Sequence, residues 1–182
     1  MADRASEARP LALITGASAG IGAAFARAYA ARGYDLALSA RRADRLEALA
    51  AELAAAHGIE AFAIPADLAV FEAHAAVLAA VSARGRTVDA LVNNAGFSIA
   101  QSFVGGPWTR LRDCLMTLVV NACVLAYGVN PGMVERRRGT IVNLKAISRV
   151  ERDHRDQPLI VLKHRKEPLT VSRTFAHLFK AM

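Results

Sequence analysis
Through residues 10–144 short apolar runs alternate with longer stretches rich in alanine and leucine. Residues 11–14 (LALI) carry no polar side chain, as suits a strand buried on both faces, and Thr15-Gly16 end the run. A helix is predicted over residues 23–32, stopped by Gly33, and a second strand over 35–40 (DLALSA). Residues 43–57 read as the next helix, with Asp44 near its start and Gly58 just past its end. A strand at 60–64 closed by Pro65, a helix at 70–84 capped by Gly85 and a strand at 89–92 continue the alternation. Pro107 is placed as the first residue of a long helix over 108–129, and residues 139–144 (GTIVNL) as a fifth strand. This spacing predicts an α/β fold, a doubly wound parallel sheet covered on both faces, with ligands at the carboxyl ends of the strands.

Between the first strand and first helix, Gly16, Gly20 and Gly22 punctuate the turn. Glycines there let a ligand approach the main chain, while the first N–H groups of the helix point at an anion, which is the context of phosphate binding. At the end of the second strand, where folds that choose NAD carry a ribose-binding carboxylate, the chain has Ala40 followed by Arg41 and Arg42. A guanidinium at Arg41 favours a 2′-phosphate and therefore NADP(H) over NAD, whereas Arg42 reads as a solvated residue at a helix start. Asp67 is either a turn residue after Pro65 or an acceptor for an adenine amino group. Asn93 and Asn94 are either turn formers or buried amides that need partners. Asn121 lies among Val119, Val120, Ala122 and Val124, where an unsatisfied amide costs about 1–3 kcal/mol.

Composition adds a boundary. The chain has 182 residues, is 54% hydrophobic and carries a formal charge of +7. Residues 1–132 are neutral, so the whole excess lies in 133–182, with 12 basic residues against 5 acidic. Every Lys lies at or after Lys145 and every Gly at or before Gly139. Residues 1–10 carry charges and no apolar run, and 115–129 are interrupted by Thr117 and Asn121, so the expectation is a soluble, cytoplasmic chain without a membrane segment. Cys114 and Cys123, nine residues apart on one helix, are too far apart for a disulfide and are expected to pack in the core.

TGASAGIG at 15–22, Asp67, NNAG at 93–96, Asn121 and GTIVN at 139–143, falling in this order, resemble the short-chain dehydrogenase/reductase family over residues 10–144. The resemblance implies a Rossmann-like fold of more strands than this chain supplies. It also implies a hydride transfer between NADP(H) and a carbonyl or alcohol. In the family Gly16, Ser18, Ile21, Asp67, Asn94 and Gly96 would line the dinucleotide; Ala19, Gly20, Gly22, Leu68 and Ala95 beside them complete the expected cofactor site. Asn121 would match the family's catalytic Asn, which holds a water of the proton relay; the alternative is an amide bonded to a neighbouring carbonyl. No metal site is expected, since His154, His164 and His177 lack ligand spacing.

The family's Ser and YxxxK are not intact. Asn143 and Leu144 are followed by Lys145 and Ala146, and the family's spacing puts Leu159 at the Tyr position and Lys163 at the Lys position. Leucine cannot transfer a proton, so catalytic competence is doubtful; the alternative is a non-catalytic NADP(H)-binding protein or truncated remnant. The chain divides into a dinucleotide-binding domain at 1–144 and a divergent basic tail at 145–182 that reads as a replaced or frame-shifted C-terminus. In the tail, 149–157 read as a solvated charged connector, 158–163 as a strand and 169–182 as an amphipathic helix. The partners expected are a small carbonyl or alcohol and a second copy of the chain. Nucleic acid is disfavoured, because the basic tail lacks interleaved aromatics.

Overall fold
The computed structural model describes residues 9–99, 104–143, 147–152, 158–162 and 169–170. Five parallel strands, β1 (Leu11–Thr15), β2 (Asp35–Ala40), β3 (Ala61–Pro65), β4 (Val88–Asn93) and β5 (Thr140–Asn143), form one sheet in the order β3-β2-β1-β4-β5. The order reverses at β1, which pairs with β2 in unbroken register and with β4 across an irregularity at Leu11/Ala12. Side chains of β1 alternate between two cores. Ala12 and Ile14 pack with α1 (Gly20–Ala30) and α2 (Ala43–His57), while Leu11 and Leu13 pack against α3 (Ala73–Ser82) and the helix that precedes β5. The doubly wound prediction therefore holds, because both faces of β1 are apolar and both are covered.

That last helix departs from a straight rod. Residues 108–129 were expected to be one helix; instead α4 (Trp108–Leu115) passes through a π-helical turn, Met116–Val120, into α5 (Asn121–Glu135). Pro107 is the N-cap, and Pro131 lies inside α5. Proline removes one N–H, and the carbonyl four residues back belongs to Tyr127, which is 82% exposed, so the helix continues on its solvent side. Trp108–Glu135 is long and apolar enough to cross a membrane by length and composition alone. Here Leu125, Val129 and Met133 are buried against the sheet. Cys114 is buried as expected, but Cys123 is exposed, on a face shared with Leu115, Val119 and Tyr127. The core expectation for Cys123 is thus corrected.

At the amino ends of the strands an ionic network ties the sheet together. Arg86 donates to Asp35 and Glu60, both at 2.7 Å, and to the Arg9 carbonyl; Asp35 in turn accepts from the Glu60 N–H at 2.8 Å. Asp89 accepts from the Leu11 N–H at 3.0 Å and faces Arg136 and Arg138.

The tail differs from expectation. Strands β6 (Ile147–Arg152), β7 (Pro158–Leu162) and β8 (Leu169–Thr170) form an antiparallel sheet in that order. Residues 149–152, read as part of a solvated connector, pair instead with the uninterrupted apolar run PLIVL, which needs a ladder partner. Leu169–Thr170 is strand rather than the start of a helix, and 171–182 lie outside the described residues, as do Lys145, Ala146, Lys163 and the three tail histidines.

Candidate functional site
The glycine turn is built by steric necessity. Gly16 has φ +66°, and a Cβ on it would lie 2.8 Å from the Asn94 Nδ2. A Cβ on Gly22 would meet the Gly16 carbonyl oxygen at 2.3 Å, so the first turn of α1 presses directly on the loop. Gly20 has φ +55° but nothing within 4 Å of where a Cβ would stand. Its requirement is conformational, and the space over it is open. Ala19, the N-cap, is extended and offers no side-chain cap, so the helix N-terminus opens on the turn.

Thr15 and Asn94 fasten this turn to the end of β4. The Thr15 hydroxyl donates to the Val92 carbonyl at 3.2 Å and accepts from the N–H groups of Asn94 and Ala95 at 3.0 and 3.1 Å. The Asn94 amide donates to the carbonyls of Thr15 and Gly16 at 3.0 and 3.2 Å. Asn93, 5% exposed, donates to the Ala122 carbonyl at 2.9 Å. The open choice between turn former and bonded amide is settled for both: each is bonded.

Between the carboxyl ends of β1 to β4 lies a cleft of about 340 Å³. It is lined by Gly16, Ser18 and Ala19 after β1, Arg41 and Arg42 after β2, Asp67 and Leu68 after β3, and Ala95 and Gly96 after β4. Arg42 is not merely a solvated helix-start residue. It is the N-cap of α2, and its Nη2 and Nε donate across the cleft mouth to the Ser18 hydroxyl at 2.9 and 3.3 Å. Asp67 is exposed and closes a turn, its Oδ1 accepting from the Ala69 N–H at 3.1 Å and its carbonyl from the Val70 N–H at 3.0 Å.

Among the residues expected to touch a cofactor, Gly20, Ile21, Gly22 and Asn94 do not line the cleft. Gly22 and Asn94 shape its floor from behind, and Ile21 is 45% exposed. Asn121 is fully buried and its side chain does not reach the cleft; Thr117, one π-turn earlier, does. The Asn121 Nδ2 donates to the carbonyls of Leu68 and Val70 at 2.8 and 2.9 Å. Its partners are loop carbonyls rather than those of a neighbouring helix. The sequence reading also missed Ser39, Ala66, Phe97 and Thr117. Ser39 had a signal, a lone hydroxyl in an apolar strand; its Oγ is buried with no hydrogen-bond partner among the described residues.

The open space over Gly20, the uncapped helix start, the partnerless Ser39 hydroxyl and the two arginines that line the same cleft fit a phosphorylated ribose. Leu159, expected from spacing to stand where the family has Tyr, lies on β7 opposite Glu151 and Thr170.

Residues 10–152 match the family model described as short chain dehydrogenase, and residues 130–182 match that of the LytTr DNA-binding domain. The serine 3-dehydrogenase of Agrobacterium fabrum is 37% identical over 141 residues, which cover 75% of this chain and 53% of that protein. A short-chain dehydrogenase from Sphingobium yanoikuyae in complex with NADPH superposes with a TM-score of 0.67 at 38% identity, over 72% of this chain and 52% of the other. The L-sorbose reductase of Gluconobacter frateurii, complexed with NADPH and L-sorbose, gives a TM-score of 0.69 at 34% identity, over 74% and 51%. The chain thus spans about half the length of the relatives it matches.

Proposed function
Because the chain belongs to the short-chain dehydrogenase family, whose members bind a nicotinamide cofactor, we propose that its cleft holds NADP(H) in preference to NAD(H). The observation that carries this reading is the pair of guanidinium groups at the end of β2, Arg41 and Arg42, with Arg42 steadied by the Ser18 hydroxyl. A 2′-phosphate there gains charge-assisted bonds, while Asp67, the one carboxylate among the lining residues, stands at the end of β3 and accepts from an adenine amino group. The NADPH complexes of the Sphingobium and Gluconobacter relatives support the same choice.

The domain proposed to do this runs over residues 1–144, with 145–182 a separate basic segment. Gly16, Ser18 and Ala19 cradle the pyrophosphate, with Gly20, Ile21 and Gly22 offering the helix N-terminus; Leu68, Asn94, Ala95 and Gly96 complete the walls. The cofactor, when bound, supplies or accepts a hydride, and a small carbonyl or alcohol is its counterpart. Proton transfer at the substrate oxygen falls to the protein, and Asn121 is placed to support it only through the backbone it fixes. With Leu159 in place of a phenol, turnover by this chain alone is expected at trace level. The setting proposed is the cytoplasm, with Trp108–Glu135 packing one face on the sheet through Leu125, Val129 and Met133.

Equilibrium titration tests the cofactor choice. NADPH is expected to bind more tightly than NADH, and Arg41→Ala to lose about 1.5–3 kcal/mol of NADPH affinity with little change for NADH. Equal affinity of the unaltered protein for both would overturn the assignment.

A second reading concerns the C-terminal residues alone. The match of 130–182 to a DNA-binding domain, together with 12 basic residues against 5 acidic in 133–182, supports contact with DNA phosphates, against the expectation from the missing aromatics. Its signature is an affinity for duplex DNA that falls steeply with salt and disappears on deleting residues 145–182.

A further inference from the structure
His74 sits on the first turn of α3, 47 residues from Asn121, and its Nδ1 lies 2.6 Å from the Phe71 carbonyl oxygen and 3.1 Å from the Asn121 Oδ1. A carbonyl only accepts, so this nitrogen carries the proton and shares it between the two oxygens. The orientation of the Asn121 amide is equally forced. Its other arm faces the carbonyls of Leu68 and Val70, so Nδ2 must be there and Oδ1 must be toward the ring. Asn121 is fully buried, and without His74 its Oδ1 loses the partner described for it.

The chain held by that amide is the turn that forms one wall of the cleft. Leu68 lines the cleft and is itself bonded to Asn121; Asp67, beside it, closes the turn through the N–H groups of Ala69 and Val70. Unlike the glycine turn and the 94–96 loop, which Thr15 and Asn94 lock to each other, this wall is fastened to α5 by the single Asn121 side chain among the bonds described. We propose that His74 is a positioning residue. By holding the Asn121 amide it fixes the Asp67–Leu68 wall against which the adenosine half of the cofactor rests, and in that respect the inference rests on the dinucleotide reading of the cleft.

The test compares the wild type with His74→Leu, which keeps bulk but donates nothing, and His74→Asn, which restores a donor near the Nδ1 position. Adenosine 2′,5′-bisphosphate and NADPH are titrated, and amide exchange at Ala69 and Val70 is followed in the ligand-free chain. Expected are an affinity about tenfold weaker for both ligands in His74→Leu, recovery to within about twofold in His74→Asn, and faster exchange at the two amides together with a lowered melting temperature in His74→Leu, both restored in His74→Asn. Wild-type affinity and exchange in His74→Leu would overturn the proposal. So would a His74→Asn variant as impaired as His74→Leu, since the role would then be packing of the ring on Phe71, 5.2 Å away. If the wild type binds neither ligand, the dinucleotide reading fails, and exchange at Ala69 and Val70 decides alone whether His74 positions the turn.

Discussion
Gly20 and Gly22 stand two residues apart and answer to different constraints. Alanine at Gly20 has room for its methyl group but must hold φ near +55°, a strain of about 1 kcal/mol, and its Cβ would narrow the open space at the start of α1 that the proposed pyrophosphate site uses. Gly20→Ala is therefore expected to keep the fold while weakening NADPH binding at least tenfold. Alanine at Gly22 would overlap the Gly16 carbonyl, so the loop must move, and urea denaturation should show a clear loss of stability in the absence of ligand. The sequence marks both positions alike, because a one-letter code records the absence of a side chain but not what would have met it. Tyr29 offers a second test at this scale. Burial pushes its hydroxyl up to about 12 from 10, with Tyr34 adding to the shift and Arg32 opposing it. The neutral ring is favoured in the folded state, so its contribution is complete below pH 10 and fades as pH rises from 10 through 12. Tyr29→Phe should gain about 2 kcal/mol relative to wild type between pH 9 and pH 12 in denaturation measurements.

Among the elements, the strands of the parallel sheet were readable because each is an apolar run bounded by a charge, a glycine or a proline, and β2 matches its expected bounds. Helix ends were less so. The helix expected to start at residue 70 starts at Ala73, because the Asp67 carboxylate and carbonyl take the next N–H groups into a turn first. The π turn at Met116–Val120 has no letter of its own: an extra residue per turn is a matter of packing, and Thr117 reaches the cleft wall because of it. In the tail, charge at 149–152 suggested solvent, but the partner strand decided, since an apolar run pairs with whichever segment can complete its ladder. At the opposite end of the sheet Arg86 joins β2 to the start of β3. Arg86→Ala leaves Asp35, 5% exposed, without its counter-ion, and should cost about 3–5 kcal/mol in urea denaturation. Adding Asp35→Asn should restore part of that, since the Glu60 N–H keeps its acceptor.

For the molecule as a whole, the cleft is built by residues within the matched part of the chain, while Leu159, which the family's spacing is expected to put at the proton-donating position, lies on a strand of a different sheet. With NADPH and a panel of aldehydes, ketones and secondary alcohols, the chain is expected to turn over at least a hundredfold more slowly than one whose residues 145–182 are replaced by a family-like segment bearing Ser and YxxxK, followed by NADPH absorbance. The parallel sheet and its glycine turn were legible from glycine spacing and β-strand ends. The cleft's inner bracing was not, because Thr15, His74 and Asn121 become partners only once the chain has closed on itself. That bracing has a kinetic consequence. Thr15 and Asn94 tie the glycine turn to the 94–96 loop through side-chain hydrogen bonds, whereas the 67–70 turn is held by the Asn121 amide, by the backbone bonds Ala66 N–H to Ala40 and Ala73 N–H to Val70, and by Leu68 in the core. A ligand resting on both walls would lose affinity by whatever ordering of the 67–70 turn it has to supply. Stiffening residues 67–70 should therefore raise dinucleotide affinity mainly by slowing dissociation, the converse of the loss expected in His74→Leu.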